Sequence, residues 1–199
     1  MPTDSVLRDV DRGGRPATTS AHAIAAAAQR LFLSRGFDQT SVEDIASAVG
    51  VSRRTFFRYF STKADVVWVE SNAELTRFAA LLDASDPAVR PSDIVGPAYI
   101  SSLSYGVGET EWVRQRTQLI LSVPAVAAHA NGVYVQWRAV VADFAARRRG
   151  ETPADAYPIA LAHAFIAGSM AAHERWLSAP GSALADHLTE MFAMMLPLR

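Results

Sequence analysis

Two short amphipathic segments joined through a glycine constrain the fold of this chain more than any other feature of its sequence. The first segment follows Thr40-Ser41 and carries apolar residues at helical spacing up to Val49. Gly50 can adopt the left-handed conformation that ends a helix in a sharp turn, and Ser52 can cap the helix that follows. Two short helices in this arrangement form the helix-turn-helix pattern.

The second helix of this pattern combines basic and aromatic side chains, and residues 51–63 contain no acid. At about 100° per residue, three aromatic rings gather on one side and polar or basic groups cover the other. The first side has Phe56, Phe57 and Phe60, and the second has Arg54, Thr55, Arg58 and Tyr59. A helix with a buried aromatic face and a basic outer face suits the major groove of DNA. The alternative, a surface helix with solvated arginines, is weaker because caps, turn and aromatic face occur together.

The segment before this pattern predicts a third helix, which packs on the other two to form a small hydrophobic core. Residues 19–35 have an alanine-rich helical pattern, and residues 19–65 together form a DNA-binding head. Residues 1–18 show no apolar periodicity and contain two adjacent glycines, so we expect a flexible tail. An alternative is that Arg12 and Arg15 form an arm that enters the minor groove.

The remainder of the chain has helical periodicity and no strand-like alternation. Further helices are predicted at about 61–84, 91–105, 109–122, 124–149, 153–178 and 181–197. The predicted fold class is therefore all-α, with about nine helices. Residues 66–199 would form a larger helical domain for effector binding and dimerisation.

The last two predicted helices, at about 153–178 and 181–197, are strongly apolar. Such a surface belongs either to the core or to a dimer interface. The dimer is favoured in a DNA-binding protein, because two heads one helical turn apart gain both affinity and half-site specificity. The predicted partners are thus a second copy of the chain and a palindromic double-stranded DNA operator.

The composition excludes several classes of function. The chain has no cysteine, which rules out disulfides and thiolate metal sites, and no apolar run long enough to cross a bilayer. His129, His163 and His173 do not lie at metal-ligand spacing, so no metal and no cofactor is predicted. No Gly-rich phosphate loop or nucleophile elbow occurs, which leaves a helical enzyme as a weak alternative. A cytoplasmic protein without membrane association is expected.

Aromatic and basic residues in the larger domain suggest a ligand cavity between helices. The candidate lining residues are Trp112, Arg116, Tyr134, Trp137, Arg138 and Phe165. Arg114, Arg116 and Arg138 lie amid apolar helix and could face an anionic effector, because a buried cation needs a partner. A packed core and ordinary ion pairs with neighbouring acids explain the same residues about as well.

Residues 19–65 resemble the DNA-binding head of the tetracycline-repressor (TetR) family of bacterial regulators. The matching motifs are Leu31-Phe32, Arg35-Gly36-Phe37, Thr40–Ala46, Gly50–Ser52, Arg54–Phe60 and Lys63. The resemblance implies an all-α homodimer whose divergent C-terminal domain binds a small molecule and then releases DNA. Most members are repressors; a ligand-independent DNA-binding protein is the alternative.

The family resemblance also assigns roles within the head. It implies that Arg53, Arg54 and Thr55 contact bases, with Arg58 on the same outer face. Tyr59 and Lys63 would contact phosphates, as would Thr40 at the start of the second helix. Phe57 departs from the family pattern, which usually has tyrosine there, although its ring could still pack against a sugar or a thymine methyl.

A longer similarity extends over most of the chain, to the subgroup of regulators associated with mycofactocin gene clusters. The segments that carry it are Arg114–Thr117, Leu119–Leu121, Val123–Ala125, Ala128-His129, Trp137–Ala142 and Ala171–Leu177. The resemblance implies a regulator tied to a redox-cofactor pathway. It also implies an acyl-CoA or other lipid-like anion as effector.

Overall fold

The computed structural model describes residues 20–103 and 110–196, and every regular element in these ranges is helical. The all-α prediction is confirmed. The elements are α1 (Ala21–Arg35), α2 (Val42–Ala48), α3 (Arg53–Tyr59), a 3₁₀ segment (Ala64–Trp68), α4 (Ser71–Asp83), α5 (Pro91–Ser102), α6 (Thr110–Ser122), α7 (Pro124–Arg149), α8 (Ala156–Leu177) and α9 (Leu184–Met195). The N-terminal tail predicted at 1–18 lies outside the described residues.

Side-chain caps begin the three short helices of the head. The Ser20 hydroxyl accepts a hydrogen bond from the Ala23 amide, and Ser52 does the same for the Thr55 amide. Ser41 and Asp44 form a reciprocal capping box at the start of α2. Gly50 has φ +69°, so the turn between α2 and α3 uses the conformation that glycine adopts without steric cost.

The segment after α3 differs from the single helix predicted at 61–84. It forms the 3₁₀ segment first, and α4 begins only at Ser71. The Asp65 carboxylate accepts hydrogen bonds from the amide and hydroxyl of Thr62, which tightens the first turn. Val66 and Val67 are fully buried, and β-branched residues disfavour regular helix, so core packing decides the local conformation here.

The head has its own hydrophobic core, but this core does not end at residue 65. It includes Ile24, Phe32, Ile45, Phe56 and Phe60 from the first three helices. It also includes Val66 and Val67 of the 3₁₀ segment, with Leu119 of α6 and Val126 of α7. Three short helices bury little apolar area, so the larger domain completes the core.

A second core lies among α4, α5, α6 and the last three helices. Phe78, Tyr99, Trp137 and Phe165 form a cluster of rings with centroids 5.1–6.3 Å apart. Phe192 of α9 joins this cluster, 5.8 Å from the Phe165 ring. Its ring is close enough to Gly96 and Gly168 that a Cβ on either glycine would meet it at 3.1 Å.

The last two helices begin three residues later than predicted. The Asp155 carboxylate accepts hydrogen bonds from the amide and hydroxyl of Thr152, so the chain turns before α8 begins at Ala156. Likewise α9 begins only at Leu184. The turn before it is held by a hydrogen bond from Trp176 Nε1 to the Ser182 carbonyl at 3.0 Å.

Candidate nucleic-acid interface and ligand cavity

One face of α3 is buried in the head and the other is open to solvent. Phe56 and Phe60 are buried as predicted, but Phe57 is 43% exposed. The prediction that Phe57 shares their buried face is wrong, because 100° from Phe56 places its ring across the edge of the core. Phe57 therefore lies on the exposed face of α3. The expected contact of its ring with DNA requires this exposure.

Several outer side chains of α3 already have intramolecular partners. Arg53 forms an ion pair with Glu43 at 2.9 Å, and its guanidinium lies 5.3 Å from the Phe57 ring centroid. The Thr55 hydroxyl lies 2.9 Å from the Ser52 hydroxyl. Exposed ion pairs contribute little stability, so Arg53 can exchange Glu43 for another partner at small cost.

The C-terminal part of the same face is held by a stacked pair. Arg58 lies 5.0 Å from the Tyr59 ring centroid and donates a hydrogen bond to its hydroxyl at 3.3 Å. Arg54, by contrast, is exposed and has no hydrogen bond or ion pair to any residue in the described ranges. Its five N–H donors are available to an external acceptor such as a guanine edge.

Lys63 links the start of the 3₁₀ segment to the loop between α1 and α2. Its Nζ donates to the carbonyls of Phe37 at 2.6 Å and Thr40 at 2.9 Å, and lies 4.2 Å from the Phe37 ring centroid. At most one of its three N–H groups is left for a phosphate. The lysine thus connects the 3₁₀ segment to the loop between α1 and α2 by hydrogen bonds. Its position in the sequence does not reveal this role.

Thr40 does not lie where a phosphate contact requires. The residue is fully buried, and its hydroxyl donates to the Gly36 carbonyl at 2.8 Å. This bond satisfies a carbonyl at the end of α1 and turns the hydroxyl inward. A phosphate contact from this side chain is incompatible with that placement.

The junction between the head and the larger domain contains two contacts between histidine and carboxylate. His129 of α7 lies 3.1 Å from Asp65, and His22 of α1 lies 2.8 Å from Glu70. Trp68, the last residue of the 3₁₀ segment, packs edge-on against the Tyr134 ring at 6.0 Å. The 3₁₀ segment is therefore in contact both with α1 of the head and with α7 of the larger domain.

The larger domain contains a cavity, and Trp68 forms part of its wall. It contains about 70 Å³ of space, enough for a few water molecules. Its apolar wall includes Ile120, Leu121, Trp137, Phe165, Ile166 and Met170. A larger ligand would need some of these side chains to move.

The polar wall of this cavity contains a buried ion pair. Arg116 of α6 donates to Glu74 of α4 at 3.1 Å, and the two side chains are 10% and 6% exposed. His173 of α8 also lines the cavity, and its Nδ1 lies 2.7 Å from the Ser169 carbonyl. That contact makes Nδ1 the protonated nitrogen, which leaves Nε2 as an acceptor.

Burial sets the protonation states around the cavity. It lowers the pKa of His173 below the ordinary value of 6.5, and the positive charge of Arg116 adds to this effect. Burial also raises the pKa of Tyr134 above 10.0, so its phenol stays protonated. At neutral pH both groups are uncharged.

Four of the six predicted lining residues form part of the cavity wall, namely Arg116, Tyr134, Trp137 and Phe165. Trp112 and Arg138 are not in the wall. Trp112 instead lies 5.3 Å from the Arg116 guanidinium, and Arg114 donates to the carbonyls of Trp176 and Leu177 at the end of α8. Residues on one helix point in different directions, so an apolar neighbourhood in sequence could not decide which of them face the cavity.

Sequence reasoning missed the rest of the wall, including its polar residues Glu74 and His173 and the indole of Trp68. The one available signal for Glu74 is its position between apolar residues of α4, where a carboxylate needs a buried partner. Its partner is 42 residues away, and no local pattern identifies it.

The outer face of α8 carries small and apolar residues. Ile159, Ala160, His163 and Ala167 are exposed along this face, and residues 156–172 contain no Asp, Glu, Lys or Arg. Met194 of α9 is 62% exposed. Exposed apolar surface of this extent on neighbouring helices is typical of a protein interface.

Two further features concern metals and membranes. Within residues 20–103 and 110–196, no group of three or more His, Asp or Glu side chains could hold a metal ion. In the same ranges, no single helix is long and apolar enough to span a membrane. Only α6 and α7 taken together meet that test, and they are bent by 98° at their junction.

Two family models match the chain. The model described as "Bacterial regulatory proteins, tetR family" matches residues 24–67, and "MftR C-terminal domain" matches residues 89–198. The candidate mycofactocin biosynthesis transcriptional regulator MftR of Mycobacterium tuberculosis is 34% identical over 181 residues, 91% of either chain. The regulator EthR of Mycolicibacterium smegmatis is 32% identical over 162 residues, covering 77% of this chain and 74% of EthR.

Solved structures share the fold. The fatty acid degradation regulator FadR of Bacillus halodurans has a TM-score of 0.62 at 15% identity, covering 91% of this chain and 97% of its own. FadR of Thermus thermophilus, a repressor solved in complex with lauroyl-CoA, has a TM-score of 0.56 at 23% identity, with 89% and 93% covered. At these identities the likeness concerns the fold alone.

Proposed function

Because this chain belongs to the TetR family of bacterial transcriptional regulators, with an MftR-type C-terminal domain, we propose that it is a dimeric repressor released from a palindromic operator by a small-molecule effector. Residues 19–65 would bind DNA, and residues 66–199 would bind the effector and dimerise. The protein would act in the cytoplasm.

The observation that supports DNA binding best is the exposed face of α3. Arg53, Arg54, Phe57 and Arg58 are exposed there, while Phe56 anchors the helix from behind. In this proposal Arg54 contacts base edges, together with Arg53 and Thr55. Tyr59, Arg58 and one N–H of Lys63 would contact phosphates and fix the position of α3 in the groove.

The proposed dimer interface is the outer face of α8 together with α9. Residues 156–172 of α8 contain no Asp, Glu, Lys or Arg, and pairing two copies there would cover Ile159, Ala167 and Met194. A two-fold axis at this interface would present two heads to a palindromic site.

The proposed effector is an acyl-CoA or another lipid-like molecule that enters the cavity beyond Trp68. The apolar wall of α6, α7 and α8 suits an acyl chain. A fold relative, the Thermus thermophilus FadR, was solved with lauroyl-CoA, which motivates the same class as the first candidates for this chain.

The coupling between effector and DNA would run through the 3₁₀ segment. Trp68 lines the cavity, and five residues earlier Lys63 fastens the segment to the head. A ligand that displaces Trp68 would therefore shift the head relative to α7.

Two other functions compete with the proposed one. The first is a DNA-binding protein that needs no ligand, and the second is a helical enzyme.

The test is DNA binding by the purified protein to the region upstream of its own gene, with and without a panel of acyl-CoAs. We expect acyl-CoA to weaken binding, and Arg54→Ala to weaken binding to the operator by at least about fivefold while random DNA changes little. Equal losses on both DNAs would remove Arg54 from base recognition. Release by no ligand would favour the ligand-independent protein, and turnover of a ligand would favour the enzyme.

A further inference from the structure

The full charges on the described residues of the cavity wall cancel. Among the described residues that line it, only Glu74 and Arg116 carry a full charge at neutral pH, and they are paired at 3.1 Å. His173 is held neutral by its burial. An anion that entered this cavity would meet a cation that already has a buried counter-charge.

The other arginines expected near the effector do not change this balance. Both guanidinium N–H contacts of Arg114 are with main-chain carbonyls at the end of α8, and its guanidinium stacks on Trp176 at 4.5 Å. Arg138 is not among the lining residues. Neither arginine offers a positive charge to a ligand in the cavity.

The wall does offer uncharged hydrogen-bonding groups. Trp68 is a wall residue whose buried Nε1 has no hydrogen-bond partner in the part of the chain that the structure describes, so a ligand that shifts the Trp68 ring can reach this donor. The Ser71 hydroxyl accepts from Trp137 Nε1 at 3.2 Å, so its own proton remains for another acceptor. A carbonyl or ester oxygen could satisfy these donors without bringing a charge into the cavity.

Burial in this cavity costs an ionised carboxylate more free energy than it costs a neutral hydrogen-bond acceptor. An ionised carboxylate buried beside a neutralised arginine loses its hydration and gains no uncompensated cation. It would have to compete with Glu74 for Arg116. A neutral acceptor bonded to an indole N–H loses far less hydration and satisfies a donor that is otherwise buried without a partner.

We propose that this cavity admits an uncharged, hydrogen-bond-accepting group on an apolar chain, and that Glu74 is the specificity-determining residue that excludes ionised carboxylates. The inference rests on the proposed function in one respect, that the cavity is the effector site. It adds that any anionic part of the effector stays outside the cavity wall.

The test measures direct binding, without DNA, of octanoate and its methyl ester by calorimetry. We expect the wild-type protein to bind the ester at least about tenfold more tightly than the carboxylate. Glu74→Gln removes this counter-charge of Arg116 and should reduce or reverse that ratio. Glu111→Gln makes the same change of net charge at an exposed position of α6 and should leave the ratio unchanged.

A second variant guards against loss of folding, since removing one partner of a buried ion pair destabilises a protein. Glu74→Gln combined with Arg116→Gln removes both charges and should retain the preference for the ester. Equal binding of ester and carboxylate by the wild-type protein, or an unchanged ratio in Glu74→Gln, would overturn the inference. So would failure of both probes to bind.

DNA release, measured separately with the same ligands and octanoyl-CoA, distinguishes this inference from the proposed function. Selective binding without release would support the assignment of Glu74 and contradict the proposed repressor mechanism. Release by octanoate as strong as that by its ester would support the repressor mechanism and contradict the role of Glu74.

Discussion

Lys63 illustrates how one residue of the head can serve the fold before it serves DNA. Its ammonium group donates hydrogen bonds to the carbonyls of Phe37 and Thr40, which lie in the loop between α1 and α2. Hydrogen bonds from a charged donor are among the stronger ones in proteins. The position of α2 relative to the 3₁₀ segment therefore depends on this side chain.

We expect Lys63→Ala to lower the free energy of unfolding by about 2 kcal/mol, because two carbonyls lose a charged donor. Urea denaturation measures this loss. If the remaining N–H also contacts a phosphate, the dependence of DNA binding on salt should flatten by about one unit of slope. An unchanged urea midpoint with a flattened slope would leave only the phosphate role.

His173 should make stability depend on pH. Its pKa is lowered in the folded protein, so below about pH 6.5 the unfolded chain binds more protons than the folded one. Stability is therefore lost as the pH falls below this value and regained above it. His173→Gln should reduce that loss, which thermal melts between pH 5 and 7 measure. Parallel curves for wild type and His173→Gln would contradict the assignment.

At the scale of elements, the turn between α2 and α3 depends on backbone conformation alone. A Cβ on Gly50 would meet no atom within 4 Å, but φ is +69°. The cost of a side chain there is the cost of the left-handed conformation, without a clash.

Gly50→Ala should thus destabilise the head by about 1–2 kcal/mol and weaken DNA binding. Gly132→Ala is a matched control, since Gly132 lies within α7 and also has nothing within 4 Å. It should raise stability by up to about 1 kcal/mol, because alanine favours helix. Similar melting temperatures for the two variants would mean that the turn tolerates alanine.

At the scale of the whole molecule, the two hydrophobic cores meet at the 3₁₀ segment. Val66 and Val67 belong to the core of the head, and Trp68 borders the cavity of the larger domain. Leu119 and Val126 extend the same head core into α6 and α7. The head is therefore packed on the helices that surround the cavity, and a change in the cavity has a short route to α3.

The proposed dimer makes a prediction at this scale. Ala167→Arg places a charge in the apolar outer face of α8 and should convert the dimer to a monomer, because the buried guanidinium would have no partner. Light scattering after gel filtration measures the mass. Affinity for a full palindrome should fall, while affinity for a half-site stays. Ala139→Arg, at an exposed site of α7, is the control, and a dimeric Ala167→Arg protein would exclude this interface.

The resemblance to the TetR family and to the mycofactocin-associated subgroup is confirmed by the family matches and by the identity to MftR over 91% of the chain. The head motifs carried this inference because they are local and closely spaced. The roles of individual DNA-facing residues remain predictions. Thr40 illustrates the limit, since family position suggested a phosphate contact and burial turned its hydroxyl toward Gly36.

The sequence alone determined the helical class, the glycine turn, the caps at Ser41 and Ser52 and the burial of Phe56. These features depend on interactions between residues three or four positions apart and on the helical period, both of which are visible in the order of residues. Tertiary structure alone decided the pairing of Glu74 with Arg116, the fastening by Lys63 and the break that forms the 3₁₀ segment. Those features join residues 23–42 positions apart, or result from packing two cores against one short segment. Spacing along the chain does not encode which distant side chains will meet, because that depends on how the helices pack.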